Sequence, residues 1–271
     1  MIRTPRTLTT LVALGASAAL LAGCGSSDTS DASSTTDASA TTAESGVTGD
    51  ITVFAAASLK ATFTELAETF EAENPGANVE FNFAGSSDLV TQLTQGAPAD
   101  VFASADTNNM TKAVDADLVD GEPTNFATNT LTIVTAPGNP KNVTSFADLA
   151  NPDVLTVVCA PQVPCGSATA KVEAATGTDI PAVSEESAVT DVLGKVTSGQ
   201  ADAGLVYVTD AAGSGDTVTA VDFPEAAEAV NTYPIAVLKS SENAATAAAF
   251  EALITGTTGQ QVLAEAGFAA P

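Results

Sequence analysis

The chain has 271 residues, 45% of them hydrophobic, with 13 prolines and 20 glycines, which is room for one large or two modest globular domains. Eight Lys+Arg stand against 33 Asp+Glu, a formal net charge of −25, so no basic surface is available to meet nucleic acid or acidic lipid. There is no histidine, which removes the usual general base, the commonest metal ligand and any Ser-His-Asp triad together.

Arg3 and Arg6, an apolar run from Leu11, and Leu21-Ala22-Gly23-Cys24 read as a secretory signal peptide over residues 1–23 ending in a bacterial lipobox. Cys24 then becomes the lipid-bearing N-terminus, and the protein is expected outside the cytoplasm, anchored to the outer face of the cell membrane. A transmembrane anchor is the alternative, but the run is short and interrupted by Ser17. Residues 24–49 are almost all Ser, Thr, Ala, Asp and Gly, too polar to offset their chain entropy by burial, and read as a disordered tether.

Folded sequence begins at Asp50. Ile51, Val53 and Phe54 have the character of a buried strand, and Leu59, Phe63, Leu66 and Phe70 recur as one helical stripe. Ser58 lies at the joint, where a serine can cap a helix start. Asn74-Pro75-Gly76 ends that helix, Val79–Phe83 alternates as a strand, and Ser86 repeats the position of Ser58 before a helix carrying Leu89 and Leu93. Ala99–Ser104 reads as a strand, Asn108–Val119 as a helix, Thr130–Thr135 as a strand, Ser145–Ala150 as a short helix and Leu155–Cys159 as a strand. The loop APQVPCGS leads to a helix from about Ala168 to Ala175. Ala188–Ser198 gives another, with Val189, Val192, Leu193 and Val196 on one face. Strands at Ala203–Val208 and Ile235–Leu238, a crossing segment around Val218–Phe223, and helices at Asn243–Thr255 and Thr258–Ala266 complete the chain.

Alternating strands and helices predict an α/β protein with mainly parallel sheets covered on both faces. Linker-like stretches near Thr124–Asn129 and Glu228–Pro234 divide it into two lobes: residues 50–127, then 128–232, then a return to the first lobe over 233–271. A cleft between two such lobes is a natural site that closes by hinge motion.

Ser58 and Ser86 are either plain helix caps or, being preceded by small residues in one lobe, two halves of an anion cradle built from hydroxyls and helix-start N–H groups. Cys159 and Cys165, close in sequence and exposed to an oxidising exterior, read as a disulfide across Ala160–Pro164; a metal site would be half a coordination sphere without histidine. Tyr207 is either an ordinary strand-end aromatic or a phenolic donor aimed into the cleft. Val189 begins a helix, so its N–H is a candidate free donor, while its side chain reads more simply as core.

AAASL at Ala55–Leu59, FAGSSDL at Phe83–Leu89, GAPADVFASAD at Gly96–Asp106, VPCG at Val163–Gly166, AGLVYVTDA at Ala203–Ala211 and AGF at Ala266–Phe268 together resemble the molybdate-binding proteins of bacterial ABC transporters. The resemblance implies a two-lobed periplasmic-binding-protein type II fold that holds molybdate or tungstate in the interlobe cleft by uncharged donors, with no cofactor and no directly coordinated metal. It implies roles for Ser58 and Ser86 through hydroxyl and backbone N–H, for Cys165 and Val189 through backbone N–H, and for Tyr207 through its hydroxyl. VPCG departs from the family's VPAG, a change of side chain at a position whose role is main-chain. The partners so implied are the oxyanion, a membrane ABC permease and, through Cys24, the membrane; the receptor would be a monomer and would bind no nucleic acid.

A fully ionised tetrahedral dianion has no proton to donate, so its ideal site is all donors and no carboxylate. The rival readings are a receptor for another tetrahedral oxyanion such as sulfate, thiosulfate or phosphate, a surface hydrolase using Ser58 or Ser86, and a passive surface protein. The hydrolase lacks a histidine and a G-x-S-x-G elbow, and Lys60 is two residues along the helix from Ser58, roughly 200° around it.

Overall fold

The computed structural model describes residues 47–271. The signal peptide, Cys24 and most of the tether lie outside the described residues. Strand β1 (Thr48–Ala56) pairs Thr48 with Gly76 at its first position, so the sheet begins two residues ahead of Asp50.

From β1 the chain passes through a 3-10 turn at Ala57–Leu59 into α1 (Lys60–Glu73), then β2 (Gly76–Ala84), α2 (Ser86–Thr94), β3 (Val101–Ala103) and α3 (Thr107–Asp115). It crosses to the second lobe along β4 (Thr124–Asn129) and β5 (Leu131–Thr135). There it forms β6 (Thr156–Cys159), α4 (Pro164–Thr176), β7 (Ser184–Glu186), α5 (Val189–Thr197), β8 (Ala203–Tyr207), α6 (Val208–Gly213) and β9 (Thr219–Val221). It returns through β10 (Asn231–Val237) and ends in α7 (Ala244–Thr255) and α8 (Thr257–Glu265). One sheet has the order β2-β1-β3-β10-β4, the other β7-β6-β8-β5-β9.

Apolar spacing dictates how the layers pack. The α1 stripe Leu59, Phe63, Leu66 and Phe70 is buried against α7, where Phe250 meets Phe70 edge-on with ring centroids 5.4 Å apart. The other face of the same sheet is covered by Leu89, Val90 and Leu93 of α2 with Met110 and Ala113 of α3. In the second lobe Val189, Val192 and Val196 of α5 join the core, while Leu193 is only half-buried. Each fully buried side chain of this size contributes about 1.5–3 kcal/mol.

The sheets are mixed rather than mainly parallel. β1 runs parallel to β2 and β3, and β6 to β7 and β8, but β10 pairs antiparallel with β3 and β4, and β5 with β8 and β9. The antiparallel strands are those adjoining the crossings between lobes. The two stretches read as linkers are therefore ordered: Thr124–Asn129 is β4, and Asn231 to Pro234 opens β10, with Asn231 paired to Asn129. The polar composition of TNFATN conceals a strand whose Phe126 and Ala127 are buried. α4 begins at Pro164 rather than near Ala168, because proline suits the first helical position, where its missing N–H costs nothing. α3 stops at Asp115, and Val119 instead bridges to Leu238.

Candidate functional site

Several strand-to-helix joints end at one place. β1 delivers Ala57 and Ser58, β2 delivers Gly85 and Ser86 at the first turn of α2, and β6 leads to Cys165 in the first turn of α4. Val189 is the first residue of α5, and Tyr207 ends β8 just before α6. All five sequence-nominated residues, Ser58, Ser86, Cys165, Val189 and Tyr207, line one small cavity between the lobes, with Ala57, Ala105 and other small residues filling the gaps. Helix geometry leaves the first N–H groups of α2, α4 and α5 without intrahelical acceptors, and the positive ends of three helix dipoles share one space. No charged side chain lines it.

The hydroxyls are not helix caps. The joint before α1 and the Gly85 cap of α2 make no side-chain capping bond. Ser58 Oγ instead meets Tyr233 Oη at 3.1 Å. Ser86 Oγ accepts the Ala105 N–H at 3.0 Å, which leaves its own proton for another acceptor. Tyr207 is buried, and its hydroxyl accepts from Asn231 Nδ2 at 3.0 Å. Burial, then the neighbouring Tyr233 and the charges of Asp106 and Asp210, push the Tyr207 phenol well above its usual range, so it stays a neutral donor. Asp210, which accepts the Tyr207 N–H at 3.1 Å, is itself pushed up to about 7 by burial.

Cys159 and Cys165 are joined, with Cα atoms 5.6 Å apart and both residues buried. The loop they close is tight: a Cβ on Gly166 would lie 2.0 Å from the Ala160 carbonyl oxygen, so only glycine fits there. The pair thus brackets the turn that presents the Cys165 N–H. Among the described residues no cluster of three or more His, Cys, Asp or Glu could hold a metal ion.

The two lobes touch. A Cβ on Gly85 would lie 1.9 Å from the Ser187 carbonyl oxygen across the cleft, and Asn109 Nδ2 reaches the Gln162 carbonyl at 3.4 Å. Sequence reasoning missed Gly85, Ala105, Asn231 and Tyr233. Starting the strand read at Ile235–Leu238 four residues earlier, at Asn231, would have brought Asn231 and Tyr233 to the sheet end beside the cavity.

The profile of the bacterial extracellular solute-binding protein family matches residues 51–269. The chain belongs to that family. Its members bind solutes rather than transform them, and the location is extracytoplasmic. This solute-binding protein is 59% identical over 221 residues, 82% of its own length and 85% of the relative's, to the molybdate-binding protein ModA of Mycobacterium tuberculosis H37Rv. In fold it is similar to the periplasmic molybdate-binding protein of Azotobacter vinelandii, with a TM-score of 0.70 at 22% identity over 82% of this chain and 99% of that one. The sulfate-binding protein SubI of Mycobacterium tuberculosis H37Rv is comparably close in fold, with a TM-score of 0.68 at 23% identity over 81% and 86%. The two-lobed periplasmic-binding-protein fold is thus shared with proteins named for molybdate and for sulfate binding.

Proposed function

We propose that this protein captures molybdate, and tungstate with it, outside the cytoplasmic membrane and delivers it to an ABC permease. The observation that carries the reading is an interlobe cavity lined by hydroxyls, helix starts and small residues, with no charged side chain among the described residues. Such a lining offers neutral donors and no carboxylate, which suits a tetrahedral dianion that has no proton to give. The 59% identity to a protein named for molybdate binding supports the same choice. The likeness to a sulfate-binding protein concerns fold alone and does not move the reading toward sulfate.

In this reading Ser58 and Ser86 bind through hydroxyl and N–H, Cys165 and Val189 through N–H, and Tyr207 through its hydroxyl. Residues 50–127 and 233–271 form one lobe and 128–232 the other, with the paired Asn129 and Asn231 at the crossing. Cys24 carries the lipid, the residues from Cys24 up to the start of β1 at Thr48 tether the domain, and the receptor acts as a monomer. A hydrolase reading finds no base: Ser58 is bonded to a tyrosine hydroxyl and Ser86 to a backbone N–H.

The test is calorimetric titration of the ligand-stripped domain with molybdate, tungstate, sulfate and phosphate. One-to-one binding of molybdate and tungstate with sulfate silent is expected. Preferential binding of sulfate or phosphate would overturn the substrate, and silence toward all four would overturn the transport reading.

A further inference from the structure

Asn231 opens β10, where the chain returns from the second lobe to the first. It is buried, and its side-chain Nδ2 lies 2.7 Å from the Ala105 carbonyl oxygen of one lobe, 3.0 Å from the Tyr207 hydroxyl of the other, and 3.5 Å from the Pro164 carbonyl oxygen. Two of these three partners are carbonyls, which can only accept. The atom facing all three must therefore be the amide nitrogen and not the amide oxygen.

That assignment fixes the direction of the next bond. The nitrogen has two hydrogens, and its two shortest contacts are to Ala105 and Tyr207, so the Tyr207 oxygen accepts. An amide N–H cannot take a proton back, and the phenol must aim its own O–H elsewhere. Two directions are open to it: the neighbouring Tyr233 hydroxyl, itself bonded to Ser58 Oγ, and the cavity that Tyr207 lines. Ala105 couples this to the second hydroxyl: its carbonyl takes the Asn231 hydrogen while its N–H donates to Ser86 Oγ, which likewise leaves the serine proton free.

We propose that Asn231 is a positioning residue that holds the Tyr207 hydroxyl in the donor role, so that it can serve a bare oxygen of an anion in the cavity and not an oxygen that carries a proton. This rests on the oxyanion-receptor reading above. A protonated oxygen, such as the O–H of monohydrogen phosphate, finds no acceptor at this phenol and would have to be accommodated elsewhere in the site. Asn231 has no place in the cavity lining itself and acts only through Tyr207 and Ala105.

The experiment is a double-mutant cycle in which molybdate is titrated into wild type, Asn231→Ala, Tyr207→Phe and the double variant. Asn231→Ala should weaken binding about tenfold when Tyr207 is present and less than threefold in the Tyr207→Phe background, because the group it positions is already gone. Equal losses in both backgrounds would assign Asn231 to hinge packing alone and overturn the proposal. If Asn231→Ala does not fold, Asn231→Asp keeps the shape, accepts the phenol proton instead of fixing it, and must show the same dependence on Tyr207. A second readout comes from composition: the chain has two tyrosines and no tryptophan, so in Tyr233→Phe the near-ultraviolet absorbance reports Tyr207 alone. A red shift on adding molybdate, as the phenol donates to the anion, is expected with Asn231 in place, and no shift would count against the locked donor. Wild type silent toward molybdate, tungstate, sulfate and phosphate would overturn the receptor reading and this inference together, whereas binding with additive losses overturns the inference only.

Discussion

Gly85→Ala separates lobe closure from folding. Gly85 has φ −62° and ψ 138°, a conformation open to any residue, so alanine costs the isolated first lobe nothing and slightly restricts its unfolded chain. Across the cleft the new Cβ would sit 1.9 Å from the Ser187 carbonyl oxygen, where real contacts do not fall below 3.0 Å, and the facing backbones must part by about 1 Å. Hydrogen bonds of ordinary length do not survive such a displacement. Ser58 and Ser86 lie on one side of the cleft and Cys165, Val189 and Tyr207 on the other, so an anion held by one set loses the second. Losing three charge-assisted bonds at about 1.5–3 kcal/mol each weakens binding by about 4.5–9 kcal/mol, roughly 10³- to 10⁶-fold in Kd. Calorimetric titration with molybdate measures the loss, and thermal unfolding without ligand is expected to be unchanged. A Kd within threefold of wild type would refute the reasoning, because it would mean that tight binding does not need the two backbones in contact.

Ser86→Ala and Tyr207→Phe should each weaken molybdate binding by about 1.5–3 kcal/mol, and Ser86→Ala should also lower the melting temperature without ligand, since it orphans the buried Ala105 N–H. Replacing Cys159 and Cys165 by serine should cost about 2 kcal/mol of stability, read by denaturant unfolding, and weaken binding through the turn that presents the Cys165 N–H; a thiol assay of the native domain should find neither cysteine free. Asp210 is raised from 3.8 to about 7 in the folded protein, so between these values the folded state holds the extra proton and stability falls as pH rises through the window. Asp210→Asn should flatten that decline in melting temperature. With a net charge of −25 the protein repels an incoming dianion, so stopped-flow association should speed up as salt is raised, the reverse of binding guided by basic residues.

Helical spacing made the core legible: the α1 stripe from Leu59 to Phe70 and the valines of α5 are buried as their periodicity requires. The joints were legible because small residues, serine and glycine mark strand ends that turn into helices. What stayed hidden was set by contacts between distant parts of the chain. Thr124–Asn129 and Glu228–Pro234 read as linkers because their polar residues mask a strand pairing that exists only when both crossings lie side by side. Ser58 and Ser86 read as either helix caps or halves of an anion cradle, because capping is a local use of serine and local pattern does not choose between the two. Their actual partners, Tyr233 and the Ala105 N–H, are 175 and 19 residues away, beyond the reach of local pattern. Gly85 reads locally as a turn residue, whereas its missing Cβ matters only against Ser187 in the other lobe.

An acidic protein holding a dianion without a cation is less paradoxical than its composition implies. In water the long-range repulsion is screened within about 10 Å, while inside a closed cleft the ligand meets only the dipoles within a few ångströms. Helix starts are fixed by their backbone before a ligand arrives, while the Ala105 N–H and the Asn231 amide occupy an acceptor position on the Ser86 and Tyr207 hydroxyls and leave each with its proton to donate. A lysine in the same place would add attraction but would accept any anion of the right charge, protonated or not, since it imposes little directional demand on the oxygens. Neutral donors with assigned directions bind more weakly one by one, but each requires a bare oxygen at its own position. The acidic exterior then takes no part in selection, and the choice among anions falls to the geometry of the closed cavity.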